Sequence, residues 1–282
     1  MKNHNAVASV TQSFSTRLAG EFRVGYSRYR NLIQPWGDSL NLNRDLAAQG
    51  FANGLPRIEI AGFGSLGLPG NYPSKPVNNT FDFATNCNWH NGMHHLKFGA
   101  QAIYIRADGF DAGVFSPRGT FFFGPGGTSS PAAINVTDQS GANGFASFLL
   151  GAPGVSGVGR FTETPTYRQG YVSGYITDTI NLWQKLYLEL GVRYDVFSPL
   201  SARRAGGTVN FTPGTNQVAL SGSNGLDIFG NADYDLNNIA PRVGLVFRPV
   251  SRMAIRAGYG VHYFPVPIGA SALNQTQSAV QQ

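Results

Sequence analysis

The sequence predicts an all-β, antiparallel fold, because of its composition, the alternation of its side chains, and the lengths of its strands and connections. Of the 282 residues, 36 are glycine, 12% are aromatic and 13% are charged, about half the charged fraction of a soluble domain. The hydrophobic fraction of 42% argues against disorder. No apolar run reaches the roughly 18 residues of a membrane-spanning helix, so any segment that crosses a bilayer must be a strand.

Eight segments are predicted to be strands, and they come in four pairs. Their approximate ranges are 5–15 and 18–31, 76–90 and 93–108, 166–180 and 184–198, and 239–249 and 252–265. The turns within the pairs are very short, whereas loops of about 32–75, 109–165 and 199–238 separate the pairs. Short turns on one side and long loops on the other are typical of a transmembrane β-barrel.

The lengths of these segments favour strands that cross a bilayer. They are about 11–15 residues long, whereas a globular strand has about 5–6 residues and a tilted transmembrane strand about 9–11. Aromatic residues near the strand ends would then form girdles at the membrane interfaces, and the candidates are Tyr29, Tyr104, Phe197, Tyr263 and Phe264. The general preference of aromatic residues for strands explains the same placement equally well.

Polar and apolar residues alternate within the segments, which gives each strand one face for lipid or core and one for water. Segment 20–27 has an apolar face of Phe22, Val24 and Tyr26, and segment 77–90 has one of Val77, Phe81, Phe83, Cys87 and Trp89. Segment 168–180 is the least regular, because Asp178 shares a face with Val172 and Ile176. From Leu186 to Val196 every even position is apolar, and in segment 252–264 the apolar residues are Met253, Ile255, Ala257, Tyr259, Val261 and Tyr263.

The opposite faces of these strands are polar and would line a hydrated lumen. We expect the following charged residues to face it: Arg23, Asp82, Lys97, Lys185, Glu189, Arg193 and Arg256.

The charge distribution argues against nucleic-acid binding. The formal net charge is +6 and the pI about 9.5, but the basic residues are spread singly, as Arg23, Arg106, Arg160, Arg193, Arg242 and Arg256 are, and only Arg203 and Arg204 are adjacent. A basic stripe or patch would be needed for that function. The sequence begins without a basic, apolar secretory signal, so we expect the chain to be a piece of a longer exported protein.

No motif in the sequence predicts catalysis or a cofactor, so we expect no enzyme activity. Cys87 is the only cysteine, which excludes an internal disulfide and a cysteine-based metal site. His90, His94 and His95 surround a tight turn, without a carboxylate at ligand spacing, and we predict no metal there. The acidic and amide side chains between Asp227 and Asn237 lack an EF-hand pattern; Asx turns explain them, and a loop calcium ion is the alternative.

Four stretches resemble TonB-dependent outer-membrane receptors of the Oar-like type. The longest is TYRQGYVSGYITDTINLWQKLYLELGVRYDVFSPL at 166–200, a strand–turn–strand unit near the end of such receptors. DLNNIAPRVGLVFRP at 235–249, followed by AIRAGYGVHY at 254–263, is similar to the next hairpin of such receptors. GFASFLLGAPG at 144–154 and HHLKFGAQ at 94–101 resemble further segments of the family, and all occur in consistent order.

The resemblance implies a barrel of about 22 strands with an N-terminal plug, in the outer membrane of a Gram-negative-type bacterium. It also implies that the TonB system drives import of a large solute such as an oligosaccharide, a peptide or a metal chelate. With about eight strands and neither plug nor TonB box, the chain is predicted to be an internal or late barrel fragment. The partners implied are outer-membrane lipid, an unidentified solute, and the plug and TonB system of the full-length protein.

The predicted domain organisation is therefore a single partial β-barrel domain over 1–282, ending in a polar tail at 266–282. Two other hypotheses explain the same strands. One is a soluble extracellular β-sandwich that binds carbohydrate. The other is a complete small outer-membrane barrel, because eight strands are the fewest that close.

Overall fold

The computed structural model describes most of the chain, with gaps in the long connections. The described residues are 1–33, 55–67, 74–111, 118–128, 141–161, 166–207, 209–212, 214, 216–223, 226–229, 232–264 and 279–281. Most of the predicted tail at 266–282, and Asn231 of the acidic segment, lie outside them. Among the described residues, no helix has the length and apolarity that crossing a membrane requires.

The described residues form sixteen strands, one α-helix and one 3-10 helix. The strands are β1 (Lys2–Ser13), β2 (Leu18–Arg30), β3 (Arg57–Ile60), β4 (Ser74–Asn91), β5 (His94–Asp111), β6 (Thr120–Phe123), β7 (Val155–Gly157), β8 (Gly159–Phe161), β9 (Thr166–Trp183), β10 (Leu186–Phe197), β11 (Ser201–Ala202), β12 (Val209–Thr212), β13 (Gln217–Leu220), β14 (Asp235–Val250), β15 (Met253–Gly260) and β16 (Ala279–Gln281). The α-helix is α1 (Gly141–Leu149), and the 3-10 helix spans Pro125–Gly127.

One large antiparallel sheet contains all the long strands, which confirms the predicted fold class. Its order is β1-β2-β4-β5-β9-β10-β14-β15, and β11 adds a short pairing to β9. The eight long strands are the eight predicted segments, with ends that differ by a few residues. Each long strand pairs with the long strands that precede and follow it in the chain. The backbone N–H and C=O groups of a strand point sideways, so only neighbouring strands can form hydrogen bonds with them.

The four tight turns lie at one end of the sheet and the three long connections at the other. The register shows this directly, because residues next to turns pair with each other: Leu18 with Trp89, His94 with Ile180, and Leu186 with Phe247. Between β4 and β5 the turn uses Gly92, whose φ of 60° is in the left-handed region that favours glycine. We call these two ends the turn end and the loop end.

The two faces of the sheet have opposite chemistry and an unusual pattern of exposure. On the apolar face, Val172 is 58% exposed, Ile176 45% and Ile239 58%. On the polar face, Asp195 is 4% exposed and Asn238 2%. In a soluble β-sandwich the aliphatic residues are covered and the polar ones exposed, so this pattern is the reverse. A sheet with one face towards lipid requires such a pattern.

The long connections carry regular structure of their own. β3 and β6 pair in parallel and β7 joins β6, which forms a small three-stranded sheet from two different connections. Helix α1 packs beside it through aromatic side chains, with ring centroids 5.3 Å apart in both the Phe63–Phe145 and Phe123–Phe148 pairs. Strands of three or four residues are too short to show the period-2 pattern that reveals the long strands.

The large sheet has two open edges. Within the described residues, β1 pairs only with β2 and β15 pairs only with β14, so the sheet is not closed into a barrel.

The exposure pattern predicts that arginine is costly on one face only. We expect Ile176→Arg, on the apolar face, to lower the free energy of unfolding by about 2–4 kcal/mol, because hydrocarbon cannot solvate a guanidinium. Glu189→Arg, which puts the same side chain on the polar face, should change it by less than about 0.5 kcal/mol. Denaturant unfolding of the full-length protein from lipid vesicles measures both, and equal costs would contradict the assignment of the faces.

Candidate functional site

The polar face of the large sheet gathers most of the residues expected to face a lumen. The cross-strand register places on this one face Arg23, Asp82, Lys97, Glu189, Arg193 and Arg256. Lys185 lies in the turn between β9 and β10, where its Nζ donates a hydrogen bond of 3.0 Å to the Pro249 carbonyl oxygen. It therefore belongs to the rim at the turn end.

Three strands contribute to a charged cluster near the middle of this face. The Arg23 Nη2 lies 3.5 Å from the Asp82 Oδ2, and Gln101 donates from Nε2 to the Asp82 Oδ1 at 2.9 Å. The alternation of β2 and β4 was sufficient to predict the first two residues. Gln101 was missed because a neutral amide carries no signal in a single sequence.

A second cluster surrounds Arg193 on β10. Its Nε lies 2.8 Å from the Asp195 Oδ1, and its Nη2 donates to the Ser173 Oγ at 2.7 Å. Asp195 and Ser173 are direct cross-strand partners. The Asp195 carboxylate is almost completely covered, because its side chain is 6% exposed. A buried carboxylate needs charged and hydrogen-bonding partners such as these.

Tyr175 crosses the β5 strand to reach Asn86, and a glycine makes the crossing possible. The Tyr175 hydroxyl donates to the Asn86 Oδ1 at 2.7 Å. Gly99 stands between them in the same cross-strand row. A Cβ at this position would overlap the Thr85 backbone carbonyl oxygen and lie 2.9 Å from the Tyr175 ring, closer than such atoms approach. The tyrosine therefore covers the space that the missing side chain leaves.

Further cations on this face have no acidic partner among the described residues. Lys97, Thr177, Gly191 and Arg242 form one cross-strand row, and the Arg242 stem lies against Gly191. Within the part of the chain that the structure describes, neither Lys97 nor Arg242 forms a salt bridge.

The histidines of the β4–β5 hairpin lie on different faces. His90 and His95 are cross-strand partners on the polar face, with ring centroids 5.7 Å apart. His94 is on the apolar face, where its Nδ1 lies 2.6 Å from the Asp178 Oδ2. The sequence shows no carboxylate near these histidines, but the register brings one from 84 residues away. The described residues contain no cluster of three or more histidine, cysteine, aspartate or glutamate side chains that could hold a metal ion.

Two aspartates of the acidic segment cap local turns. The Asp227 Oδ1 accepts a hydrogen bond from the Phe229 amide at 2.8 Å, and the Asp235 Oδ1 accepts one from the Asn237 amide at 3.3 Å. Both are Asx-type contacts, two residues along the chain.

The aromatic residues near strand ends are divided between the two faces. Tyr104 lies on the apolar face at the loop end, as an interfacial girdle requires. Tyr29 and Phe197 lie on the polar face, so their assignment to a girdle is wrong. Phe197 packs instead edge-to-face against its cross-strand partner Tyr171, with centroids 5.7 Å apart.

Comparison with known proteins finds a matching family model and a similar solved structure. The family model described as outer membrane beta barrel domain matches residues 1–282. The ferric-catecholate import receptor Fiu from E. coli K12, in its open form, is similar at a TM-score of 0.43 and 11% identity. That match covers 93% of this chain and 36% of the receptor, so the chain spans about a third of that length. No curated protein matches the sequence.

The Tyr175 crossing predicts a coupled loss of stability. We expect Gly99→Ala to lower the free energy of unfolding by about 1–3 kcal/mol, because its Cβ clashes with the Thr85 carbonyl oxygen and displaces the tyrosine ring. Adding Tyr175→Phe should then cost almost nothing more, whereas Tyr175→Phe alone should cost about 1 kcal/mol for the lost hydrogen bond. Gly174→Ala on the neighbouring strand is the control, since its nearest contact would be an ordinary 3.8 Å. Additive effects of the two changes would contradict the crossing.

Proposed function

Because the chain belongs to the outer membrane beta barrel domain family and lies in the outer membrane, we propose that it forms part of the wall of a receptor that imports a large solute. The observation that carries the proposal is the pairing of an exposed apolar face with a polar, hydrogen-bonded one on the same long strands. In an outer-membrane barrel the first face meets lipid and the second meets the water-filled interior.

The open edges support a barrel larger than this sheet. In a bilayer an unpaired N–H or C=O group costs several kcal/mol, so β1 and β15 each need another strand beside them. Barrel diameter grows with strand number, and eight strands leave an interior that side chains fill. A wall that admits a large solute needs more strands than the eight long ones described here.

The chemistry of the polar face supports a polar solute and no particular compound. It presents cations, carboxylates, tyrosine and serine hydroxyls, and amides. Such groups suit an oligosaccharide, a peptide or a metal chelate, which are the classes implied by the resemblance to TonB-dependent receptors. On this proposal a plug domain and the TonB system complete the transporter, and the chain has no catalytic role.

Uptake by cells that produce the full-length protein tests the import function. Labelled oligosaccharides, peptides and ferric chelates are offered in parallel to these cells and to cells that lack the protein. We expect one class to accumulate only with the protein, and to stop accumulating when the proton-motive force is collapsed. Accumulation that persists without the proton-motive force would indicate a passive pore instead.

Cross-linking of the two edge strands tests whether the sheet is an open segment of a larger barrel. In a Cys87→Ser background, Ala8→Cys on β1 and Ala257→Cys on β15 should give no intramolecular product with a short bismaleimide, because other strands separate them. Ala8→Cys with Val24→Cys is the positive control, since these residues are cross-strand partners. An efficient link between β1 and β15 in a heat-modifiable monomer would show that the small closed barrel is correct.

A further inference from the structure

Two cross-strand rows border the apolar band at the loop end of the sheet. The first is aromatic, with Tyr26, Phe81 and Tyr104 directly paired on β2, β4 and β5. The second lies two residues further along each strand and runs Arg28, Asn79, Arg106 and Arg168 across β2, β4, β5 and β9. Arg106 and Arg168, 62 residues apart in sequence, thus become direct cross-strand partners, and Arg28 lies in the same row with Asn79 between it and Arg106.

Both rows are on the lipid-facing side of the sheet. The row immediately below the aromatic one consists of Val24, Phe83, Ala102 and Val172, and Val24, Phe83 and Val172 are between 49% and 58% exposed. Side chains alternate faces, so residues two positions further along share that side. Long connections of outer-membrane barrels are extracellular, which puts the arginine row where the hydrocarbon of the outer leaflet ends and the headgroups begin.

A pocket is formed where the connection after β10 approaches these rows. It has a volume of about 770 Å³, and its lining includes the aromatic row, Arg28, Arg106 and Arg168. Arg203, Phe229 and Tyr234 line it from the connection. Of the lining residues, four are arginines and Asp108 is the acidic one.

Arg168 is neutralised by a carboxylate, whereas Arg106 is held by aromatic rings and, in the described part of the chain, keeps its charge unpaired. Arg168 lies 2.6 Å from the Asp108 carboxylate through Nη1. The Arg106 guanidinium lies 5.3 Å from the Phe81 ring centre and 5.4 Å from that of Tyr104. Within the described residues, neither Arg28 nor Arg106 forms a salt bridge. A guanidinium stacked on aromatic rings keeps its N–H edge for a planar or tetrahedral oxyanion.

We propose that this pocket binds the phosphate-bearing headgroup of a lipid of the outer leaflet. Arginine pairs with phosphate through two parallel hydrogen bonds, and several such donors converge here. The acyl chains would extend over the apolar face between Phe83 and Val172, where the register places the small residues Ala100, Ala102 and Gly174. A solute on its way through the barrel would meet the other face of the sheet, so the pocket is independent of the import path.

Lipid binding to the full-length protein, purified from outer membranes in detergent, tests this assignment. The probe is diphosphoryl lipid A, followed by native mass spectrometry, with phosphatidylcholine as the zwitterionic reference and inorganic phosphate as competitor. We expect Arg28→Gln and Arg106→Gln each to weaken binding of the diphosphoryl lipid about fivefold, from the usual contribution of one basic residue at a charged membrane surface. Arg256→Gln, on the polar face, should leave it unchanged.

Three results would overturn the proposal. Equal weakening by Arg256→Gln would show attraction to the overall charge. Full displacement by an equal concentration of inorganic phosphate would identify a free-phosphate site. Binding of the dephosphorylated lipid as tight as that of the diphosphoryl lipid would show that the phosphate is not recognised. Heat modifiability checks that each variant is folded, and Arg106→Lys should recover part of the binding. The readout needs no transport, so loss of solute uptake and loss of lipid binding can be distinguished.

Discussion

A backbone amide inside a bilayer has no water to bind, and the rest of this structure depends on that constraint. Each strand must cross the hydrocarbon with every N–H and C=O group paired to a neighbouring strand. The strands of the large sheet are accordingly long, as β4, β5 and β9 are at 18 residues each. Among the described residues, the irregular backbone lies at the turn end and the loop end of the large sheet. The same requirement applies to β1 and β15, whose outer edges have no partner among the described residues.

With the backbone satisfied, the side chains divide into two sets with different tasks. Most of those on the apolar face need only match hydrocarbon, and specific contacts such as the His94–Asp178 pair lie towards the ends of the strands. Those on the polar face must satisfy one another across strands, as Arg193 does with Asp195 and Ser173. The Gly99–Tyr175 arrangement shows how specific these contacts are, because the tyrosine reaches Asn86 only where a side chain is missing between them. Stability that depends on sequence detail is therefore expected on the polar face.

The strands and their faces could be predicted from the sequence because a period of two is visible within a dozen residues. The contacts between strands could not, because they depend on register across connections of up to about 57 residues. Asp178 is an example: it interrupts an apolar face in the sequence, and only the register supplies His94 as its partner. The short strands β3 and β6 were missed because four residues are too few to show a period of two. Their pairing also joins two separate connections, which the sequence does not reveal.

The arginine row of the large sheet shows most clearly that contacts between strands cannot be predicted from the sequence alone. In the sequence Arg106 is an isolated cation, and a scattered distribution of basic residues argues against any concentrated charge. In the sheet, antiparallel pairing aligns Arg28, Arg106 and Arg168 in one row above an aromatic row and an apolar band. That vertical order, apolar then aromatic then cationic, follows the polarity of a membrane from its hydrocarbon to its anionic surface. A concentration of charge in a β-sheet protein is thus a property of its register, and counting charges along the chain cannot reveal it.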